Sequence, residues 1–202
     1  MADRLLKLYS RPQSVFTIGE ISLIWDEKNS NRLRTALSYY TSEDKLIRLR
    51  QGIYATDSEF KPLELAGRIF TPSYISLETV LTRAGVIFQY REQITVVSYL
   101  TRTVECSGYK FRFRKIKDTI LYDPCGVQVR SEPPVVCMAS PERALVDLIY
   151  LDGPRDLGNP DPIDWQQARA IASRFENQRL QKDVRKYADR YSRTSLSSQP
   201  DS

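Results

Sequence analysis

Between Thr17 and Thr56 the chain reads TIGEISLIWDEKNSNRLRTALSYYTSEDKLIRLRQGIYAT, with apolar residues at helical spacing first and a glycine-centred hairpin pattern last. That order fits helix, tight turn, helix and hairpin. Thr17 and Glu20 have the spacing of a capping box: the Thr17 hydroxyl accepts from the Glu20 N–H, and the Glu20 carboxylate reaches back. Phe16 and Ile21 occupy the two positions of a hydrophobic staple. Ile18, Ile21, Ile24 and Trp25 then recur at helical spacing, and Asp26 to Asn29 is turn-prone. The pattern puts Ser30 at the N-cap of a second helix whose apolar stripe is Leu33, Ala36, Leu37 and Tyr40. In KLIRLRQGIYAT, residues 46–50 and 53–56 read as two strands, with Gly52 supplying the positive φ of a tight hairpin. A short helix over 2–9 precedes them, with Leu5, Leu6, Leu8 and Tyr9 facing the others. This is the element order of a winged helix-turn-helix, assigned to residues 1–58.

The polar side of the second helix carries Asn31, Arg32, Arg34, Thr35, Ser38 and Tyr39. Arg and Asn make bidentate contacts to guanine and adenine edges in the major groove, which makes this face the candidate base reader. Lys45, Arg48 and Arg50 fall on the predicted hairpin, where cations meet phosphates. From Lys28 to Arg50 there are six basic residues and two acidic ones, a local net charge of +4. Helix order, hairpin and charge together point to double-stranded DNA. The alternative is a solvated basic face on a module that docks another protein.

The 202 residues suffice for one large domain or two small ones, and the net charge of +5 favours an anionic partner. No apolar run has the length of a membrane span, and MADRLLKLYS lacks a signal-peptide core, so the expected location is the cytoplasm with no membrane partner. Three scattered cysteines form neither a disulfide framework nor a zinc pattern, and the absence of histidine removes Ser-His-Asp, Cys-His and His-ligated metal chemistry. Asp147, Asp152, Asp156, Asp161 and Asp164 lie close enough in sequence to suggest a metal-binding carboxylate cluster, but most lie beside a Pro/Gly-rich loop where aspartate serves turns. No phosphate-binding glycine loop is present. No catalytic residue, metal or cofactor is assigned, and the expectation is a protein that is not an enzyme.

After the polar DSEFKP segment comes a second region, predicted to be an α+β domain over 62–192. Residues 63–70 read as a helix, and Ser76 is placed at the N-cap of another that stops at Gly85. ITVVSYL (94–100) is apolar on both faces, an interior strand. YKFRFRKI (109–116) alternates, with Phe111 and Phe113 inward and Lys110, Arg112 and Arg114 outward as a second basic face. Residues 119–122 and 127–130 flank Asp123-Pro124-Cys125-Gly126 and read as a hairpin, and 135–138 as a further strand. Ser140-Pro141-Glu142 opens a helix with serine at the N-cap and proline at N1. Asp164 and Gln167 are a capping-box-like pair for the next, lined by Trp165, Ala168, Ala172 and Phe175. A last helix has Leu180, Val184, Tyr187 and Tyr191 in register, with Arg179, Lys182, Arg185, Lys186, Arg190 and Arg193 on its solvated side. Residues 193–202 read as a disordered polar tail.

Three pieces in this order, RLRQGIYA, SYISLETVL and MASPERALVDL, resemble the AbiEi antitoxins of type IV toxin–antitoxin systems. The resemblance covers residues 15–151, and its most specific element is SPERALVDL, with Pro141, Glu142, Arg143 and Asp147 as motif positions. It implies a transcriptional autorepressor that binds an operator in its own promoter. It also implies a second domain that counters a nucleotidyltransferase toxin without a stable complex with it. The spacing of the motif residues suggests helix-start and packing roles more than chemistry. The alternatives are a plain winged-helix regulator whose second domain serves dimerisation or ligand sensing, and a protein-docking adaptor.

Overall fold

The computed structural model describes residues 2–88, 92–131, 133 and 135–194. Its first part is α1 (Ala2–Tyr9), β1 (Val15–Thr17), α2 (Ile18–Trp25), α3 (Ser30–Ser42), β2 (Ile47–Arg50) and β3 (Ile53–Ala55). The strands form an antiparallel sheet in the order β1-β3-β2. The capping box of α2 is present in both directions: the Glu20 N–H donates to the Thr17 hydroxyl (3.2 Å) and the Thr17 N–H to the Glu20 carboxylate (2.6 Å). Phe16 and Ile21 of the staple are fully buried. They share a small core with Leu8, Trp25, Leu33, Leu37, Tyr40, Leu46 and Tyr54. Only one side of the eight-residue α1 reaches this core. Leu6 and Tyr9 are therefore exposed, against expectation, and Tyr9 donates its hydroxyl hydrogen to the Lys45 carbonyl instead. The N-cap of α3 is Asn29, not Ser30, because its amide oxygen reaches the free N–H groups of Asn31 (3.0 Å) and Arg32 (3.1 Å).

The second part is built on a six-stranded mixed sheet in the order β6-β7-β5-β4-β9-β8. Its strands are β4 (Ser73–Ile75), β5 (Gln93–Ser98), β6 (Arg102–Cys106), β7 (Tyr109–Lys115), β8 (Val127–Val129) and β9 (Cys137–Ala139). Around it lie α4 (Pro62–Ile69), α5 (Glu78–Arg83), α6 (Asp118–Leu121), α7 (Pro141–Asp152), α8 (Trp165–Ser173) and α9 (Gln178–Thr194). The interior strand expected over 94–100 is β5, flanked by β7 and β4. Phe111 and Phe113 of β7 are fully buried, as their alternation predicts. α9 runs through Thr194, two residues into the segment expected to be a tail, and the rest of that expectation, residues 195–202, lies outside the described residues.

Three expectations fail here for identifiable reasons. Residues 119–122 are not a strand; 118–121 form α6, and β8 pairs with β9 instead. The carbonyl of Ile120 in α6 accepts from Arg143, a contact an extended segment would not present (2.8 Å). Ser76 does not cap α5, since the buried Asp147 carboxylate takes its hydroxyl at 2.8 Å; Leu77 precedes the helix at φ 58° without a side-chain cap. Asp164 does cap α8 through Gln166 and Gln167, but its own N–H goes to Glu142 (3.1 Å) rather than to Gln167.

Arg143 is the largest fully buried side chain and uses all five of its N–H donors. They reach the Asp147 carboxylate (3.0 Å), the Tyr74 hydroxyl (2.8 Å) and the carbonyls of Ile120 (2.8 Å), Cys125 (2.6 Å) and Asp123 (3.3 Å). Asp147 in turn accepts from Tyr74 (3.0 Å) and Ser76 (2.8 Å). Burial alone would weaken the guanidinium's hold on its proton, and Asp147 and Tyr74 more than offset it, so its pKa lies above the usual arginine range. Gly126 is needed beside this cluster: at φ +73° a Cβ there would lie 2.8 Å from the Arg143 Cβ and 2.9 Å from Ile171.

Glu64 joins the two parts. Its buried carboxylate accepts from the Ser14 N–H (2.7 Å), the Ser14 hydroxyl (2.9 Å) and the Val15 N–H (3.2 Å) on one oxygen, and from the Val135 N–H (2.7 Å) on the other. One turn later Arg68 bonds Glu20 of the α2 capping box at 3.2 Å. Val15 and Ile53 belong to the larger core. Glu64→Gln should destabilise the chain by about 1–3 kcal/mol, because either orientation of the amide turns its NH2 toward a backbone N–H. The urea midpoint checks this, and an unchanged midpoint would remove Glu64 as a clamp.

Candidate nucleic-acid interface

α3 presents two sides. Leu33, Leu37 and Tyr40 are buried, while Asn31, Arg32, Arg34, Thr35, Ser38 and Tyr39 are all exposed. A cleft flanks the exposed side on each flank, so α3 stands out as a ridge. The first, about 860 Å³, lies between α3 and the β2–β3 hairpin and is lined by Arg34, Ser38, Thr41, Ser42, Arg48 and Gln51, among others. The second, about 870 Å³, lies toward α1 and is lined by Asp3, Arg4, Glu27, Asn31, Arg32, Thr35 and Tyr39, among others. The expected readers are thereby divided: Arg34 and Ser38 go with the hairpin, and Asn31, Arg32, Thr35 and Tyr39 with α1.

The two clefts differ in charge. Among the described residues the hairpin cleft is lined by two arginines and no carboxylate. Among the described residues neither Arg34 nor Arg48 forms a salt bridge. The α1 cleft contains Asp3 and Glu27. The Asn29 N–H and Arg4 hold the Glu27 carboxyl below the usual carboxylate range, so it stays charged. Arg4 is tied to Glu27 at 2.9 Å and Lys7 to Asp3 at 3.1 Å.

The hairpin cations also separate. Arg48 lines the first cleft. Lys45 lies before β2, 3.8 Å from Glu43 and with its ammonium 5.8 Å from the centre of the Tyr39 ring. Arg50 is half-buried and turns toward the second part, its guanidinium 6.0 Å from the centre of the Phe70 ring. The register shift between Arg48 and Arg50 accompanies this divergence, since a bulge re-aims the side chains that follow it. Gly52, at φ +75°, closes the turn, and its carbonyl accepts from the Ile18 N–H at 2.8 Å, which ties the hairpin tip to the start of α2.

Thr41 and Ser42 also line the hairpin cleft and are not among the expected readers, although they follow Arg34 at i+7 and i+8 and so share its face. Lys110, Arg112 and Arg114 share one face of β7, but Lys110 pairs with Glu105 (3.5 Å) and Arg114 makes a bidentate pair with Asp152 (3.1 and 2.6 Å). Asp152 holds its carboxyl low despite its partial burial, because Arg114 bonds it, and the Arg114 pKa is raised in turn. Arg112 is the member of that face with no ion pair among the described residues. Pro141 and Glu142 open α7, and Arg143 and Asp147 are sealed inside it.

The other aspartates are dispersed: Asp156 pairs with Arg190, Asp164 caps α8, and Asp161 follows the turn made by Asn159. Among the described residues no group of three or more Cys, Asp or Glu is placed to hold a metal, and no helix is long and apolar enough to cross a membrane. The chain matches no family model and no curated protein.

Proposed function

We propose that the chain is a sequence-specific DNA-binding protein of the winged helix-turn-helix type, with α3 as the reading helix and the β2–β3 hairpin as the wing. Support comes from the order α1-β1-α2-α3-β2-β3 with its three-stranded antiparallel sheet. The observation that carries the proposal is the cleft between α3 and the hairpin, lined by Arg34 and Arg48, which form no salt bridge among the described residues, and by no carboxylate among them. A helix with its side chains is about 10–12 Å across and the major groove about 12 Å wide, so a ridge between two clefts leaves room for a phosphate strand on each side. The charge difference orients it: the strand beside the hairpin meets arginine, hydroxyls and Gln51, and the strand beside α1 meets charge already compensated.

Arg34, with Ser38, reads base edges, and Arg48 holds phosphate. Arg48→Ala should weaken binding to all sequences about equally and lower the salt slope by about one unit. Arg50→Ala should change the slope little, because its guanidinium covers Phe70. Equal effects of the two on the salt slope would contradict this division of the wing.

The resemblance of SYISLETVL and MASPERALVDL extends the proposal to autorepression of a toxin–antitoxin operon and to countering a nucleotidyltransferase toxin. Co-expression with a nucleotidyltransferase encoded beside it tests that half: rescue of growth is expected, and normal operator binding without rescue would leave a plain regulator.

A further inference from the structure

We propose that the outer face of α9 is a second DNA-contacting surface, one that holds the phosphate backbone of duplex DNA without reading its sequence. That the polyanion is DNA rests on the function proposed above; the surface itself is argued from α9. Arg179, Lys182, Lys186 and Arg190 recur at steps of three, four and four residues. At 3.6 residues per turn they fall within roughly 80° of the helix circumference and span about 17 Å along it. All four are exposed, and Leu180, Val184, Tyr187 and Ala188 on the other side are buried in the core.

Positive charge is concentrated in two places. Residues 165–194 contain eight basic and three acidic side chains, a net +5, and residues 28–50 contribute +4. The whole chain is +5, so everything else sums to −4. A face that only keeps the chain in solution would balance both signs, whereas α9 carries six basic residues and two acidic ones. Three of these cations, Arg179, Lys182 and Lys186, are held loosely. Arg179 and Lys186 each lie 3.9 Å from one shared carboxylate, Asp183, and Lys182 has no ion pair among the described residues. Arg190 lies 3.0 Å from Asp156, both well exposed. Exposed pairs of this kind are worth little and give way to a phosphate.

Duplex DNA carries one charge per about 1.7 Å of axis over its two strands, about 3.4 Å per strand, so a 17 Å stripe laid along one strand runs past about five phosphates. A membrane surface fits worse. An interfacial helix buries its apolar face in the lipid, and that face of α9 is already packed against α7 and α8.

The test uses the full chain and the variant Lys182→Gln/Lys186→Gln, with circular dichroism to confirm folding. Binding is titrated against salt on an enriched duplex and on a random one, with single-stranded RNA and anionic phospholipid vesicles as parallel arms. The variant should bind both duplexes more weakly, with a salt slope about two units shallower and an unchanged ratio between them. An unchanged slope overturns the proposal, as does a loss confined to RNA or to vesicles. Arg34→Ala separates the two ideas. If it leaves the duplex ratio intact while the α9 variant flattens the slope, the reader on α3 is wrong and the α9 surface stands. If it abolishes the ratio while the α9 variant changes nothing, the reverse holds. Failure of the unaltered chain to bind either duplex overturns both.

Discussion

Arg143→Met should destabilise the protein by about 3–5 kcal/mol, the cost of leaving one member of a buried ion pair without its partner. The substitution strands Asp147, which is fully buried, and removes the donor from the carbonyls of Ile120, Cys125 and Asp123. Methionine fills much of the volume but donates nothing. A double variant, Arg143→Met with Asp147→Leu, should recover part of the loss, because a pair replaced together by apolar groups is far less costly than a pair broken. Urea denaturation measures both. A loss below about 1 kcal/mol for the single variant would mean that Asp147 finds another partner. The same cluster explains the SPERALVDL segment physically. Ser140 and Pro141 start the helix, Glu142 receives the Asp164 N–H, and Arg143 and Asp147 fasten α7 to β4, α6 and the turn before β8. Those positions hold the fold together and offer no exposed chemistry.

The second large effect belongs to α3. Arg34→Ala should cost about 1–3 kcal/mol of specific binding and relax the preference at one base position. Arg32→Ala should cost less, since Arg32 lies in the cleft that Glu27 and Asp3 share. Selection from a randomised duplex pool with each variant distinguishes them. Equal losses, or a larger loss for Arg32, would move the reading face toward α1.

The caps and periodic stripes were legible in the sequence because they are local. Thr17 and Glu20, Ser140 and Pro141, and the alternation of Phe111 and Phe113 each express their structure within a few residues. What escaped depends on distant partners. β1 is three residues long and is a strand only because β3 pairs with it. β6, RTVEC, lies at the sheet edge and shows no apolar alternation, so nothing marks it without β7 beside it. Ser76 has the chemistry of a cap, but Asp147, distant in sequence, takes its hydroxyl. The candidate interface was legible as a list of exposed polar residues on one helix. Its division into a cationic cleft and a compensated one was not, because that division depends on where Asp3, Glu27 and the hairpin fold back against α3.

The most direct test of DNA reading by α3 is a salt-titrated binding measurement of the full chain on a duplex enriched from a random pool, compared with the unselected pool. Enrichment of a defined sequence is predicted, with a preference of at least about a thousandfold at physiological salt. Arg34→Ala should reduce that preference, and Arg48→Ala should leave the preference but flatten the salt slope. No enrichment, with equal affinity for every duplex and no change on removing Arg34, would contradict it.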